Sequence, residues 1–195
     1  MRLSPVTSAT LSADDRELIR GNLALADRYL SGGADAPALP AILGLLAHHP
    51  RLAASWLSLS SSLLEEPVIE ARDRELLILR VGWLTQCDYI WVQHVRIGLA
   101  AGLLSPEAVA AGTAEPTALT LRDRMLLRVV DQLVDAQRID DRTWAALATE
   151  FDERQLLEVL FVIGSYTCLA MVVNAAGLVA EGADVCEIEL PERED

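Results

Sequence analysis

The sequence predicts an all-α protein, a helical bundle, on three observations. First, 52% of the 195 residues are apolar but only 5% are aromatic, so the interior must come mainly from Leu, Ala and Val, which favour helix or are tolerated in it. Second, EARDRELLILRVGWLTQ, from Glu70 to Gln86, has a charged first turn followed by an apolar run too long for a typical strand. Third, the boundaries between apolar segments carry helix-capping residues. A chain of this length can bury a full core. We read one all-α domain over residues 1–178 and an acidic tail over 179–195.

Ser12, with Asp14 and Asp15 behind it, caps a helix expected to run to about Leu30, where Gly32 and Gly33 stop it. The short apolar stretch 37–48 and the segment RLAASWLSLSSSLL after Pro50 read as buried helices. A helix from about Ile69 is followed by DYIWVQHVRIGLAAG, ended by Gly102. Ser105-Pro106-Glu107 marks the next start with Pro in the first turn. Thr120 caps LRDRMLLRVVDQLVDAQ, and Asp140 or Asp141 caps a short helix carrying Trp144. A last long apolar helix begins near Asp152 and ends before Gly177. Asn174, polar inside it, needs a hydrogen-bonding partner.

Charge excludes some functions. All 16 basic residues are arginine, against 29 acidic ones, for a net charge of -13. Nucleic acid is not an expected partner, because binding it requires clustered cations to neutralise phosphates. The first ten residues lack a signal-peptide core, and no uninterrupted apolar stretch approaches the roughly 20 residues of a membrane span. A cytoplasmic protein with no membrane partner is the expectation. Cys87, Cys168 and Cys186 are odd in number and widely spaced, so neither a disulfide framework nor a metal centre is expected.

Arg72-Asp73-Arg74 before Leu76-Leu77 recurs fifty positions later as Arg122-Asp123-Arg124 before Leu126-Leu127. The recurrence suggests a duplicated helical hairpin. In the second copy Met125 stands where the first has Glu75, and no Cys or His follows at the corresponding spacing. Chemistry is therefore expected in the first copy.

In that copy Cys87, Ile90, Trp91 and His94 fall on one stripe of a helix. Glu75, Leu79, Gly82 and Gln86 share a stripe on the helix before. Folding the hairpin brings carboxylate, thiol and imidazole toward one another. Leu76, Leu77 and Ile78 beside Glu75 are expected to desolvate its carboxyl and raise its pKa toward a range useful for acid/base work. The plainer reading pairs Glu75 with Arg72, Arg74 or Arg80, has His94 donate to a backbone carbonyl, and treats Cys87 as a small buried hydrophobe. Residue types alone leave both readings open.

The stretch from LAHHP near His48 through RDRELLILRVGWLTQCDYIWVQHVRIGLAAGL, with LRDRMLLRVVDQLV and LLEVLFVIGSYTCLAMVVNAAGL after it, resembles the carboxymuconolactone decarboxylase / alkyl hydroperoxidase D family. The resemblance implies a helical bundle of the alkyl hydroperoxidase D-like type and a homo-oligomer, whether dimer, trimer or hexamer. In the hydroperoxidase branch a glutamate is followed twelve positions later by a CxxC pair, and then by a histidine four positions after the second cysteine. Glu75, Cys87 and His94 match the glutamate, the first cysteine and the histidine, and are the catalytic candidates. Ile90 stands at the second cysteine and cannot resolve a mixed disulfide. The decarboxylase branch implies instead a lyase without cofactor or metal. There Glu75 and His94 would move a proton on a small lactone or organic acid, and Gln86, Tyr89 and Trp91 would contact the substrate. A thiol-dependent peroxidase or disulfide reductase is the second possibility, and a non-catalytic oligomeric binding protein the third.

Overall fold

Capping residues and glycines in the sequence mark most of the places where the chain turns. A computed structural model describes residues 1–31, 37–114, 116, 119–180, 188 and 190–191. Among the described residues it contains ten helices and no strand: α1 (Ala13–Ile19), α2 (Ala24–Leu30), α3 (Ala41–Leu46), α4 (Pro50–Leu64), α5 (Ala71–Leu84), α6 (Asp88–Ala100), α7 (Ser105–Ala111), α8 (Leu121–Ala136), α9 (Asp141–Glu150) and α10 (Glu153–Ala176). The fold is all-α. The chain divides into two units, one built on Met1–Pro67 with residues 175–180, the other on Val68–Asn174 with Ile188, Leu190 and Pro191.

In the first unit the single helix expected from Ser12 to Leu30 is broken into α1 and α2. Gly21 adopts a left-handed φ of 77°, a conformation that costs glycine little. The amide nitrogen of Asn22 donates to the carbonyls of Leu18 and Ile19, ending α1, and the Gly21 N–H donates to the Asp27 carboxylate of α2. Ile19, Ala26, Leu30, Leu43, Ala53 and Leu57 then pack into one apolar cluster. His49 caps α4 by accepting the Leu52 N–H at Nδ1, while Nε2 of His48 sits 2.8 Å from the Ser4 carbonyl oxygen. The stop assigned to Gly32 and Gly33 lies outside the described residues.

The second unit is organised around α5. Every residue from Asp73 to Leu84 is buried, so α5 is a core helix on all sides and its charged groups require partners. α6 returns antiparallel to it, and two glycines permit close approach. A Cβ on Gly82 of α5 would lie 3.3 Å from Ile90 Cγ2, and one on Gly98 of α6 would lie 3.4 Å from Glu75 Cβ. α10 runs parallel to α5. Its Glu158 carboxylate accepts the N–H groups of Val68 and Ile69 before α5 begins, and Asn174 donates to the Thr85 carbonyl where α5 ends.

α8 meets α5 through the duplicated motif. Arg72 of α5 binds both carboxylate oxygens of Asp123, at 2.8 and 3.2 Å. Arg122 of α8 binds both oxygens of Asp73, at 2.9 and 2.7 Å. Each copy therefore supplies the arginine to the other's aspartate. Arg80 joins the same pair of helices through Asp131 at 2.6 Å, donates to the carbonyls of Ala111 and Thr113, and lies 4.3 Å over the Trp83 ring. Asp123 also completes a capping box with Thr120 at the start of α8.

The expectation that no uninterrupted apolar stretch nears membrane-span length meets one long, largely apolar helix. α10 has 24 residues and a mean hydropathy of 2.2 over its most apolar window. By length and composition it is the one helix among the described residues long and apolar enough to cross a membrane. Gly164, Ser165, Thr167 and Asn174 interrupt its apolar run without adding charge. The acidic tail assigned to 179–195 falls mostly outside the described residues.

Candidate active site

The α5–α6 hairpin brings Glu75 and His94 into direct contact. The Nδ1 atom of His94 lies 2.6 Å from Glu75 Oε2, and Nε of Arg74 lies 3.0 Å from Glu75 Oε1. Glu75 is fully buried, while 8% of His94 remains exposed. With a carboxylate on Nδ1, the imidazole carries its proton there when neutral, and Nε2 holds the free lone pair. Nε2 has no hydrogen-bond partner among the described residues.

The expected rise in the Glu75 pKa is corrected by these partners. Burial pushes the carboxyl up, but the His94 hydrogen bond and the charges of His94 and Arg74 outweigh it, and the net direction is down. Glu75 is an ionised anchor. The arginine of the plainer reading and the histidine of the catalytic one both bind it, one on each oxygen.

Cys87 is not gathered into this pair. It occupies the N-cap position of α6 with a φ of -102° and is fully buried. Seven residues at about 1.5 Å rise each put it roughly 10 Å along the axis from His94. A helical stripe aligns such residues without making them touch. Burial raises the thiol pKa, only partly offset by the N–H groups of Ile90 and Tyr89. Cys168 is exposed on α10, and both cysteines are free.

The expected substrate contacts are engaged by the chain itself. The Trp91 indole N–H donates to the Ile188 carbonyl at 2.9 Å, and the ring is fully buried. Gln86, at a left-handed φ of 47°, donates to the carbonyls of Trp83 and Pro191. Tyr89 is buried.

One residue beside the pair escaped the sequence reading. Tyr166 of α10 presents its ring at 90° to the His94 imidazole with centroids 4.9 Å apart. Burial and the Glu75 charge both raise its pKa, so its hydroxyl stays protonated at neutral pH. It comes from a helix distant in sequence, and a tyrosine in an apolar run gives no local sign of its neighbour. Arg74, Glu75, His94 and Tyr166 together form a fixed carboxylate, an oriented imidazole and an aromatic wall. That set can move a proton at Nε2.

Residues 50–132 match the carboxymuconolactone decarboxylase family. No curated protein matches the chain. Among solved structures, the alkylhydroperoxidase AhpD core of an uncharacterized peroxidase-related protein from Ralstonia eutropha JMP134 superposes with a TM-score of 0.75 and 17% identity, covering 93% of this chain and 92% of that one. An uncharacterized peroxidase-related protein from Silicibacter sp. TM1040 gives a TM-score of 0.68 and 16% identity, with 78% and 81% covered. At these identities the likeness is one of fold.

Proposed function

We propose that this chain, whose residues 50–132 match the carboxymuconolactone decarboxylase family, is a cofactor-independent lyase that uses acid/base chemistry on a small lactone or organic acid. The observation that carries this reading is the buried Glu75–His94 contact at 2.6 Å, with Arg74 on the second carboxylate oxygen. Glu75 holds His94 in one tautomer, and Nε2 exchanges the proton with substrate. In decarboxylation the bond from ring carbon to carboxylate breaks, its electron pair enters the conjugated carbonyl system of the ring, and carbon dioxide leaves. A proton taken up from solvent at His94 Nε2 is then delivered to the ring in place of the lost carbon dioxide, which returns the imidazole to its neutral form. Tyr166 packs the imidazole into place, which makes it a positioning residue.

Thiol chemistry is disfavoured by two features of this chain. Ile90 occupies the place of a resolving cysteine, and Cys87 is a buried thiol whose pKa is raised.

The same reading makes the protein a cytoplasmic homo-oligomer. Leu157, Phe161, Cys168 and Met171 are exposed on α10, with Gly164 between Phe161 and Cys168. These positions alternate by four and three residues, the spacing of a helix–helix seam, and a Cβ on Gly164 would meet nothing. A second copy of α10 is the occupant that supplies a matching seam.

Two assays test the catalytic reading on wild-type, Glu75→Gln and Cys87→Ser proteins: loss of a carboxymuconolactone chromophore and thiol-dependent peroxide consumption. Lactone turnover that needs Glu75 and survives Cys87→Ser is the expected result. Peroxide turnover abolished by Cys87→Ser, with no lactone turnover, overturns it.

A further inference from the structure

The second copy of the duplicated motif carries a hollow of its own. It lies between α8 and α9 and has a volume of about 440 Å³, within the usual range for small-molecule sites. Leu121, Met125 and Ala146 give it apolar walls. Arg124, Arg128 and Arg142 surround those walls, and none of their guanidinium groups has a hydrogen-bond or ion-pair partner among the described residues. In a chain with 29 acidic and 16 basic residues, three exposed guanidinium groups without a carboxylate around one hollow concentrate positive charge there. The arginines of the α5–α8 contact, Arg72, Arg80 and Arg122, are all matched to carboxylates.

The duplication supplies the explanation. The reciprocal pairs Arg72–Asp123 and Arg122–Asp73 make the two motifs structural counterparts. Both hairpins also turn through a glutamine with left-handed φ, Gln86 at 47° and Gln137 at 54°. Under this correspondence Arg124 is the counterpart of Arg74, and Met125 that of Glu75. Arg74 has its carboxylate in the chain, 3.0 Å away. Arg124 has a thioether beside it, so the second copy keeps the cation and lacks the anion. Arg128, one helical turn on, and Arg142 across the hollow add charge to the same place.

We propose that this hollow binds a small organic carboxylate from solution, distinct from the substrate at the Glu75–His94 pair. The ligand's carboxylate lies among Arg124, Arg128 and Arg142, in the role Glu75 plays for Arg74, and its apolar body rests on Leu121, Met125 and Ala146. Two or three guanidinium groups suit a carboxylate through paired, charge-assisted hydrogen bonds. An apolar body gains by covering the walls. Thr143 lines the hollow too, with its hydroxyl engaged by the Asp140 carboxylate and by Gln132 Nε2 at 3.3 Å.

The test uses 2-naphthoate as probe, with 2-naphthylmethanol as the uncharged control, and measures equilibrium binding to the full chain. Saturable 1:1 binding of the acid is expected, with little binding of the alcohol. Arg124→Gln combined with Arg128→Gln should weaken it by about tenfold or more. Met125→Glu, which restores a carboxylate beside Arg124, should weaken it similarly. His94→Asn should leave it unchanged, which separates this site from the proposed catalytic one. These substitutions lie at exposed or partly exposed positions apart from His94, and thermal unfolding checks that each variant folds. Absence of saturable binding to wild-type protein overturns the proposal. So does binding that ignores the arginine and Met125 changes or that is lost in His94→Asn.

Discussion

Glu75 of α5 and His94 of α6 share a hydrogen bond of 2.6 Å in which the carboxylate is wholly buried and the imidazole keeps a small exposed edge. Arg74 holds the other oxygen at 3.0 Å. A carboxylate held on one oxygen by a guanidinium and on the other by an imidazole N–H is a poor proton donor and a strong orienting group. In the proposed lyase the chemistry therefore falls to the histidine, with the glutamate fixing its tautomer.

Glu75→Gln should destabilise the protein by about 3–5 kcal/mol at neutral pH, because it leaves Arg74 buried without its counter-charge. The pH dependence follows from the depressed Glu75 pKa. Stability from this group is fully present above its ordinary value of 4.5 and is lost as pH falls through the lower folded value. Urea midpoints for both proteins between about pH 7 and about pH 3 should converge on the acid side. A constant gap would contradict the assignment.

The reciprocal pairs of α5 and α8 should not be equal in strength. Arg72→Met strips a bidentate partner from Asp123, which is 3% exposed, and also frees Glu107. Arg122→Met leaves Asp73 with Arg72 still 3.6 Å away, and the Arg122 side chain is 38% exposed. We expect about 3 kcal/mol for the first and about 1 kcal/mol for the second. Chemical denaturation of the two variants at equal ionic strength decides between this order and its reverse.

The two described cysteines should differ sharply toward an alkylating reagent. Cys87 is fully buried with a raised pKa, whereas Cys168 is exposed. Iodoacetamide at neutral pH, followed by peptide mass mapping, should modify Cys168 first and Cys87 only on unfolding. Rapid labelling of Cys87 in the native protein would revive the thiol reading.

The exposed seam of α10 predicts that Phe161→Arg lowers the oligomeric state without unfolding the chain. Phe161 is 50% exposed and Met171 66%, so neither is needed by the protomer's own core. Sedimentation velocity on wild-type and variant measures this directly. A wild-type monomer would remove the basis for the seam.

Local signals carried most of the fold. Thr120 and Asp140 cap α8 and α9 where their side chains suggest, and Gly102 and Gly177 end helices with φ of 97° and 68°. The break between α1 and α2 was also written locally, in Gly21-Asn22, but the apolar periodicity on either side obscured it. Helix arithmetic put Glu75 and His94 on facing stripes because antiparallel helices bring such stripes together. It misled for Cys87, since a shared stripe says nothing about distance along the axis. Tyr166 and Asn174 belong to α10 while their partners, His94 and Thr85, lie on α6 and at the end of α5, and contacts so distant in sequence leave no periodic trace in either segment. The glutamate pKa was misjudged for a related reason. Apolar neighbours in sequence predicted desolvation, while the cations that dominate depend on how the hairpin folds and on a side chain curling toward its immediate neighbour.

The central claim is that His94 moves the proton, and the most direct measurement is the rate of carboxymuconolactone decarboxylation by His94→Asn beside wild-type protein, with thermal unfolding confirming that both are folded. The account predicts measurable turnover by wild-type and a loss of about 10²–10⁴-fold in the variant. Turnover by folded His94→Asn at the wild-type rate would contradict it.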